Sequence, residues 1–168
     1  MCGRYTLTNV APNLLASMFG IPDLEIPQLL PRFNIAPTQN VPIVRVLAPK
    51  APPQMDVVRW GLVPSWADDV AIGNRMINAR AETVAEKPAF RSSFKSKRCI
   101  IPADGFFEWQ RKTGGKKQPY WIHRRDDALI GFAGLWARWK GIGPDGQPVE
   151  LDTFTILTTD AHPVVAPI

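Results

Sequence analysis

Gly105-Phe106-Phe107-Glu108-Trp109-Gln110-Arg111-Lys112-Thr113-Gly114-Gly115-Lys116-Lys117-Gln118-Pro119-Tyr120-Trp121-Ile122-His123 reads as two strands folded back on one another. Gly105–Gln110 and Pro119–His123 are rich in the aromatic residues that suit a pleated surface, and they flank a basic Gly-Gly connection of the hairpin kind. Outward from this pair, the strand signal repeats. Cys99–Pro102 lies just upstream, and Leu129–Trp136 and Thr153–Thr158 follow as buried or partly buried strands. Ile43–Leu47 and Met55–Trp60 form another pair around the Pro49–Pro53 turn. Seventeen prolines and twelve glycines keep the elements short. Thr8–Phe19 is the clearest helix, with Thr8 as its cap, Pro12 in its first turn and Leu14, Leu15, Met18 and Phe19 on an apolar face. A second helix is expected over Ala81–Glu86. The fold class is therefore α+β and β-rich, in a single domain with no internal repeat and no linker.

Composition narrows the function classes. A chain of 168 residues can bury a substantial core. Its two cysteines, Cys2 and Cys99, are too few for a disulfide scaffold and lack the spacing of a zinc site. No apolar run approaches the ~20 residues of a membrane span, and the start does not resemble a secretory signal. The expectation is a soluble protein of a reducing compartment. The formal charge is +5, unevenly spread. Between Lys87 and Arg125 stand eleven Lys or Arg against two acids, Asp104 and Glu108. Such a run suits an anionic partner, nucleic acid foremost, and equally suits a solvated basic hairpin tip.

Several residues carry candidate chemistry. If Met1 is removed, Cys2 presents an α-amine and a thiol on one residue, a pair that can trap an aldehyde as an imine and then close a ring; the alternative is a surface cysteine in a frayed tail. Asn78 and Arg80, in Asn78-Ala79-Arg80-Ala81-Glu82, can place a hydrogen bond and a bidentate phosphate contact, or serve as a turn residue and a surface ion pair. Glu108 beside three aromatics can be a desolvated acid or base; by simple alternation it faces water while Phe107 and Trp109 face inward. Trp66, between a proline and acids, can stack on a base or wedge beside a missing one. His123 reads as structural or phosphate-facing, His162 as a turn residue, and Cys99 as a packed strand residue. The chain has no phosphate-binding glycine loop, nucleophile elbow or paired metal-ligand motif.

Taken together, Met1-Cys2-Gly3-Arg4-Tyr5, Arg32-Phe33-Asn34-Ile35-Ala36-Pro37-Thr38, Trp60-Gly61-Leu62-Val63-Pro64, Ile77-Asn78-Ala79-Arg80-Ala81-Glu82, Arg98-Cys99-Ile100-Ile101-Pro102, Gly105-Phe106-Phe107-Glu108-Trp109 and Phe154-Thr155-Ile156-Leu157-Thr158-Thr159 resemble the SOS response-associated peptidase (SRAP) family, in family order over essentially the whole chain. The resemblance implies a curved, pseudo-barrel-like sheet core with short peripheral helices. It implies a sensor of abasic sites in single-stranded DNA that links itself to the lesion through a thiazolidine at Cys2. Asn78 and Glu108 then join Cys2 as catalytic residues, and Arg4, Trp66 and Arg80 as DNA-binding ones. A self-processing peptidase and a noncovalent single-stranded DNA-binding module are the alternatives. No cofactor and no metal is expected, the partner is single-stranded DNA containing abasic sites and not a membrane, and the protein is expected to be monomeric, cytoplasmic and associated with a bacterial nucleoid. The family continues into a His-Asp-Arg-Met-Pro-like segment with a catalytic histidine; this chain ends at Pro167-Ile168, so residues 1–168 read as an SRAP domain truncated at its C-terminal end.

Overall fold

The computed structural model describes residues 3–143 and 146–168. In chain order the elements are β1 (Tyr5–Leu7), α1 (Pro12–Phe19), β2 (Arg32–Ile35), β3 (Asn40–Arg45), β4 (Gln54–Trp60), β5 (Asn78–Arg80), α2 (Arg91–Ser96), β6 (Arg98–Ala103), β7 (Gly105–Arg111), β8 (Lys117–His123), β9 (Ile130–Ile142) and β10 (Pro148–Thr158). Five strands run side by side in the order β4-β3-β6-β9-β10, and the sheet closes because β10 also pairs with β4, in parallel, at Thr153↔Arg59 and Phe154↔Trp60. Closure removes both edges of that sheet. β5 pairs in parallel with the end of β10, just past the β4 pairing on the same edge, with Asn78 beside Ile156. Four further strands, in the order β2-β1-β7-β8, form a second sheet that continues from the β6–β7 corner. The β-rich α+β class with a barrel-like core and short peripheral helices is the architecture observed.

The core explains the closure. Val41, Ile43, Trp60, Ile101, Phe154 and Ile156 are fully or almost fully buried together. The Trp60 and Phe154 rings stack at 6.3 Å across the seam that the β4–β10 pairing makes. Arg45 is sealed among charged residues of neighbouring strands, with Nε 2.7 Å from Asp56 and Nη2 2.7 Å from Asp152, while its guanidinium lies 4.3 Å over the Trp136 ring. Arg138 grips Asp152 with two further bonds of 2.8 and 2.9 Å. A charge this deep is tolerated because every ion has a counter-ion at hydrogen-bond distance.

Asp104, at the β6–β7 corner, fastens the short β1 to the rest. Its carboxylate accepts from the Thr6 hydroxyl, from the Thr8 amide at 2.5 Å, from the Thr8 hydroxyl at 2.6 Å and from the Asn9 amide at 3.0 Å. This corrects the role expected of Thr8. Its side chain is spent on Asp104, and α1 starts at Pro12 after Ala11 with no side-chain cap, ending at Gly20 in the left-handed conformation (φ 66°). Ala81–Glu86 is also corrected: it is a run of turns stitched by Thr83 N–H to Arg80 O and Glu86 N–H to Thr83 O, and the helix α2 forms later instead. β9 and β10 run well beyond the apolar stretches that mark them, because Arg138 and Lys140 are paired with Asp152 and Glu150 across the ladder.

The hairpin forms with Glu108 opposite Tyr120 and Gly105 opposite His123. Gly114 and Gly115 take φ of 80° and 78°, open to glycine at no steric cost. Alternation along β7 is the reverse of the simple reading. Phe106 packs on the core, with Phe132 edge-on at 6.0 Å, so Glu108 shares the inward-facing side and is half-buried, while Trp109 is 37% exposed.

Candidate active site

Three separate stretches of chain meet at one buried aromatic group. Tyr5, on β1, is fully buried and edge-on to Trp60 at 5.4 Å and to Phe132 at 5.8 Å. The Trp60 indole N–H donates to the Ile77 carbonyl at 2.8 Å, and the Ile156 amide donates to the same oxygen at 3.1 Å, so the residue before Asn78 is held from two sides. Phe132 in turn meets Phe106, two residues before Glu108 on the same face of β7. The segments that carry Arg4, Asn78 and Glu108 are thus positioned by contacts to Tyr5, Trp60 and Phe132. β1 is wedged between β2 and β7, with Tyr5 opposite both Ile35 and Phe106. Cys2 lies outside the described residues, one peptide bond before Gly3.

The other sequence-selected residues sit as follows. Arg4 donates through Nη1 to Asn34 Oδ1 at 2.9 Å, and its carbonyl accepts from the Phe107 amide at 2.9 Å, tying it to β7 next to Glu108. Asn78 opens β5 and is partly buried. Arg80 is half-exposed and holds Asp160 at 2.7 Å and Glu82 at 3.1 Å. Those carboxylates raise its pKa, the Asp160 hydrogen bond most, so an arriving phosphate must displace an acid there. Glu82 is held below the ordinary carboxylate range by its own backbone amide and by the Thr159 hydroxyl.

Trp66 is 58% exposed, beside a hollow of about 670 Å³ that also contains Asp68, Asp69 and Arg75. Its loop is pinned elsewhere. The Trp139 indole donates to the Ala67 carbonyl at 2.7 Å, and Trp139 pairs with Leu151, whereas Asn78 pairs with Ile156. The Trp66 loop is thus tied to β9 through Trp139. His123 is structural: it stacks on Trp121 at 4.1 Å and bonds to Asp127 at 2.8 Å. His162 accepts from the Val164 amide in an exposed turn. Burial pushes the Cys99 thiol up to about 12, with Arg45 opposing only in part, so this cysteine is chemically quiet at neutral pH.

Tyr5, Trp60 and Phe132 were not singled out as parts of a site by the sequence. Tyr120 and Gln110 belong to the same set: Tyr120 faces Glu108 across the ladder, its hydroxyl is 3.3 Å from Gln110 Oε1, and Gln110 Nε2 donates to the Pro167 carbonyl at 2.8 Å. Counting outward from Gly114 finds Tyr120 in the sequence. No local pattern marks the meeting of Gln110 with Pro167. Among the described residues, no group of three or more His, Cys, Asp or Glu is arranged to hold a metal ion, and no helix is long and apolar enough to cross a membrane.

The family model for the SOS response associated peptidase (SRAP) matches residues 1–168. The chain belongs to the SRAP family. Among its relatives are the abasic site processing protein YoaM of Bacillus subtilis, 42% identical over 168 residues covering 96% of this chain and 69% of YoaM, and the abasic site processing protein YedK of Escherichia coli, 33% identical over 164 residues covering 96% of this chain and 68% of YedK. Among solved structures, a Bacteroides thetaiotaomicron protein superposes with a TM-score of 0.79 at 28% identity, covering 98% of this chain and 72% of that one. Within this SRAP chain, β1, β5 and β7 are linked through Tyr5, Trp60 and Phe132.

Proposed function

We propose that this SRAP chain processes abasic sites in single-stranded DNA and captures them covalently through Cys2 after removal of Met1. The observation that supports this reading is the anchoring of β1: Tyr5 is locked between β2 and β7, which holds Arg4 against the strand of Glu108 and, through Trp60, links β1 to the residue before Asn78. The relatives named for abasic site processing supply the substrate class.

The chemistry follows from the residue types. An abasic deoxyribose opens to an aldehyde. The Cys2 amine adds to that carbon and one water leaves, giving an imine. The Cys2 sulfur then adds to the imine carbon while the nitrogen takes the thiol proton, closing a five-membered thiazolidine. In this scheme Glu108 moves protons during loss of water, and Asn78 orients a sugar hydroxyl. Arg4 and Arg80 take phosphates without reading bases, and Trp66 borders the strand. An unpaired strand spares the cost of extracting the nucleotide from a duplex.

Intact mass spectrometry after mixing the Met1-processed chain with single-stranded DNA carrying one abasic site tests the proposal. The expected product has the summed mass less one water, and is absent for Cys2→Ala and for chain retaining Met1. The same assay on a chain extended past Ile168 isolates the contribution of the histidine that the family resemblance anticipates there. An adduct that survives Cys2→Ala, or none from either length, overturns covalent capture and leaves noncovalent binding. Release of a peptide in place of an adduct favours the self-processing peptidase.

A further inference from the structure

A cleft of about 750 Å³ opens between the C-terminal end of α1, the turn that follows β3 and the end of α2, on strands that the proposed chemistry does not use. Its walls are apolar. Met18, Val46, Leu47 and Ile100 all border it and are each more than two-fifths exposed, an unusual concentration of uncovered aliphatic surface on one side of the molecule. Its rim is cationic. Lys97 and Arg98 line it, and no aspartate or glutamate does. The segment 87–98 that supplies this rim contains Lys87, Arg91, Lys95, Lys97 and Arg98 and no acid. Among the described residues none of these five is ion-paired.

We propose that this cleft is a docking site for an acidic peptide of a partner protein, anchored by an apolar side chain. The apolar anchor enters between Leu47 and Ile100, and flanking carboxylates meet Lys97 and Arg98. Charge complementarity selects an anion, and the aliphatic walls select a peptide over nucleic acid. Bases bind basic grooves by stacking on open aromatic faces. The indole lining this cleft, Trp136, is already covered by the Arg45 guanidinium at 4.3 Å and approached by Lys97 Nζ at 5.3 Å. The site is independent of the abasic-site reading.

The test uses a fluorescein-labelled peptide, a run of aspartates followed by leucine and phenylalanine, titrated with the whole chain and followed by anisotropy at low salt. Saturable binding is expected. It should weaken about tenfold or more when the aspartates become asparagines, when leucine and phenylalanine become alanines, and in Leu47→Asp and in the Lys97→Glu/Arg98→Glu pair. Val46→Asp, on the same wall, gives a second variant should Leu47→Asp lose its cooperative thermal transition. No saturable binding, or binding indifferent to these changes, overturns the proposal. So does displacement by a short oligothymidylate that itself loses affinity in the same variants, which makes the cleft a nucleic-acid contact. Adduct formation with abasic DNA should be unchanged in Leu47→Asp, so the failure of one reading is distinguishable from failure of the other.

Discussion

Replacing Asp104 by alanine should cost this protein a large part of its stability and release β1. The carboxylate is almost fully buried and gathers four donors, two from Thr8 and one each from Thr6 and Asn9. A hydrogen bond to a charged group contributes about 1.5–3 kcal/mol, so simple addition over four donors gives an upper bound of about 6–12 kcal/mol. The true loss is smaller, because Asn9 is exposed and Thr8 half-exposed, and both can turn to water. Thr6 is 3% exposed and cannot. About 3–5 kcal/mol is the expectation, or a fall in Tm of roughly 6–20 °C for a chain of this size. The pH dependence carries a sign. Burial pushes the Asp104 pKa up, but the bonds from Thr6, Thr8 and Asn9 outweigh it and hold the pKa below the ordinary value. A carboxylate whose folded pKa is depressed stabilises fully above its unfolded pKa, about 3.9, and that contribution is lost as pH falls through the folded value. Urea unfolding of wild type and Asp104→Ala across pH 3–7 is the assay, with the gap between them constant near neutrality and narrowing below about pH 4. A loss under about 1 kcal/mol at pH 7, or a gap that does not narrow in acid, refutes the assignment of Asp104 as the clamp on β1.

Other outcomes follow from the same contacts. Gly73→Ala places a Cβ 2.5 Å from the Gly61 carbonyl oxygen, a backbone atom that cannot swing away, and should cost about 2–4 kcal/mol in chemical denaturation while loosening the loop that leads to Asn78. Arg45→Ala strips the shared counter-ion from Asp56 and Asp152 and should destabilise by about 3 kcal/mol, whereas Arg45→Met, which refills the space over Trp136, should lose less. With its thiol raised to about 12 by burial, Cys99 should react with a disulfide reagent at pH 8 only as fast as the protein unfolds; rapid modification at that site would show the strand to be open. Arg80→Gln should weaken binding of single-stranded DNA and reduce the salt slope by about one, measured by anisotropy over a salt series, if Arg80 contacts a phosphate.

The sequence was most legible where neighbouring residues decide the outcome. Gly114-Gly115 marks the hairpin connection, but a centre between the two glycines would set Glu108 opposite Trp121; the five-residue loop Lys112–Lys116 centred on Gly114 sets it opposite Tyr120. The short strands were harder. β1, β2 and β5 span three or four residues and have no apolar periodicity of their own; each exists because a partner strand supplies its hydrogen bonds. Thr8 shows the same limit from the other side. It has the chemistry of a helix cap, and a carboxylate distant in sequence competes for it and wins. Glu108 was ambiguous because alternation fixes which residues share a face and not which face is inside. Phe106, packed against Phe132, settles that.

Residue types and spacing alone determined the β-rich class, the hairpin, and the set of groups able to do aldehyde chemistry, all of which depend on local backbone preference and on what each side chain can donate or accept. Only the tertiary structure decided that β10 returns to β4 to close the barrel, that Trp60 there joins Tyr5 to the Asn78 strand, and that Lys97 and Arg98 border an uncovered apolar cleft. Those are meetings of segments far apart in sequence, won by burial of a shared core, and no short window of sequence contains both partners.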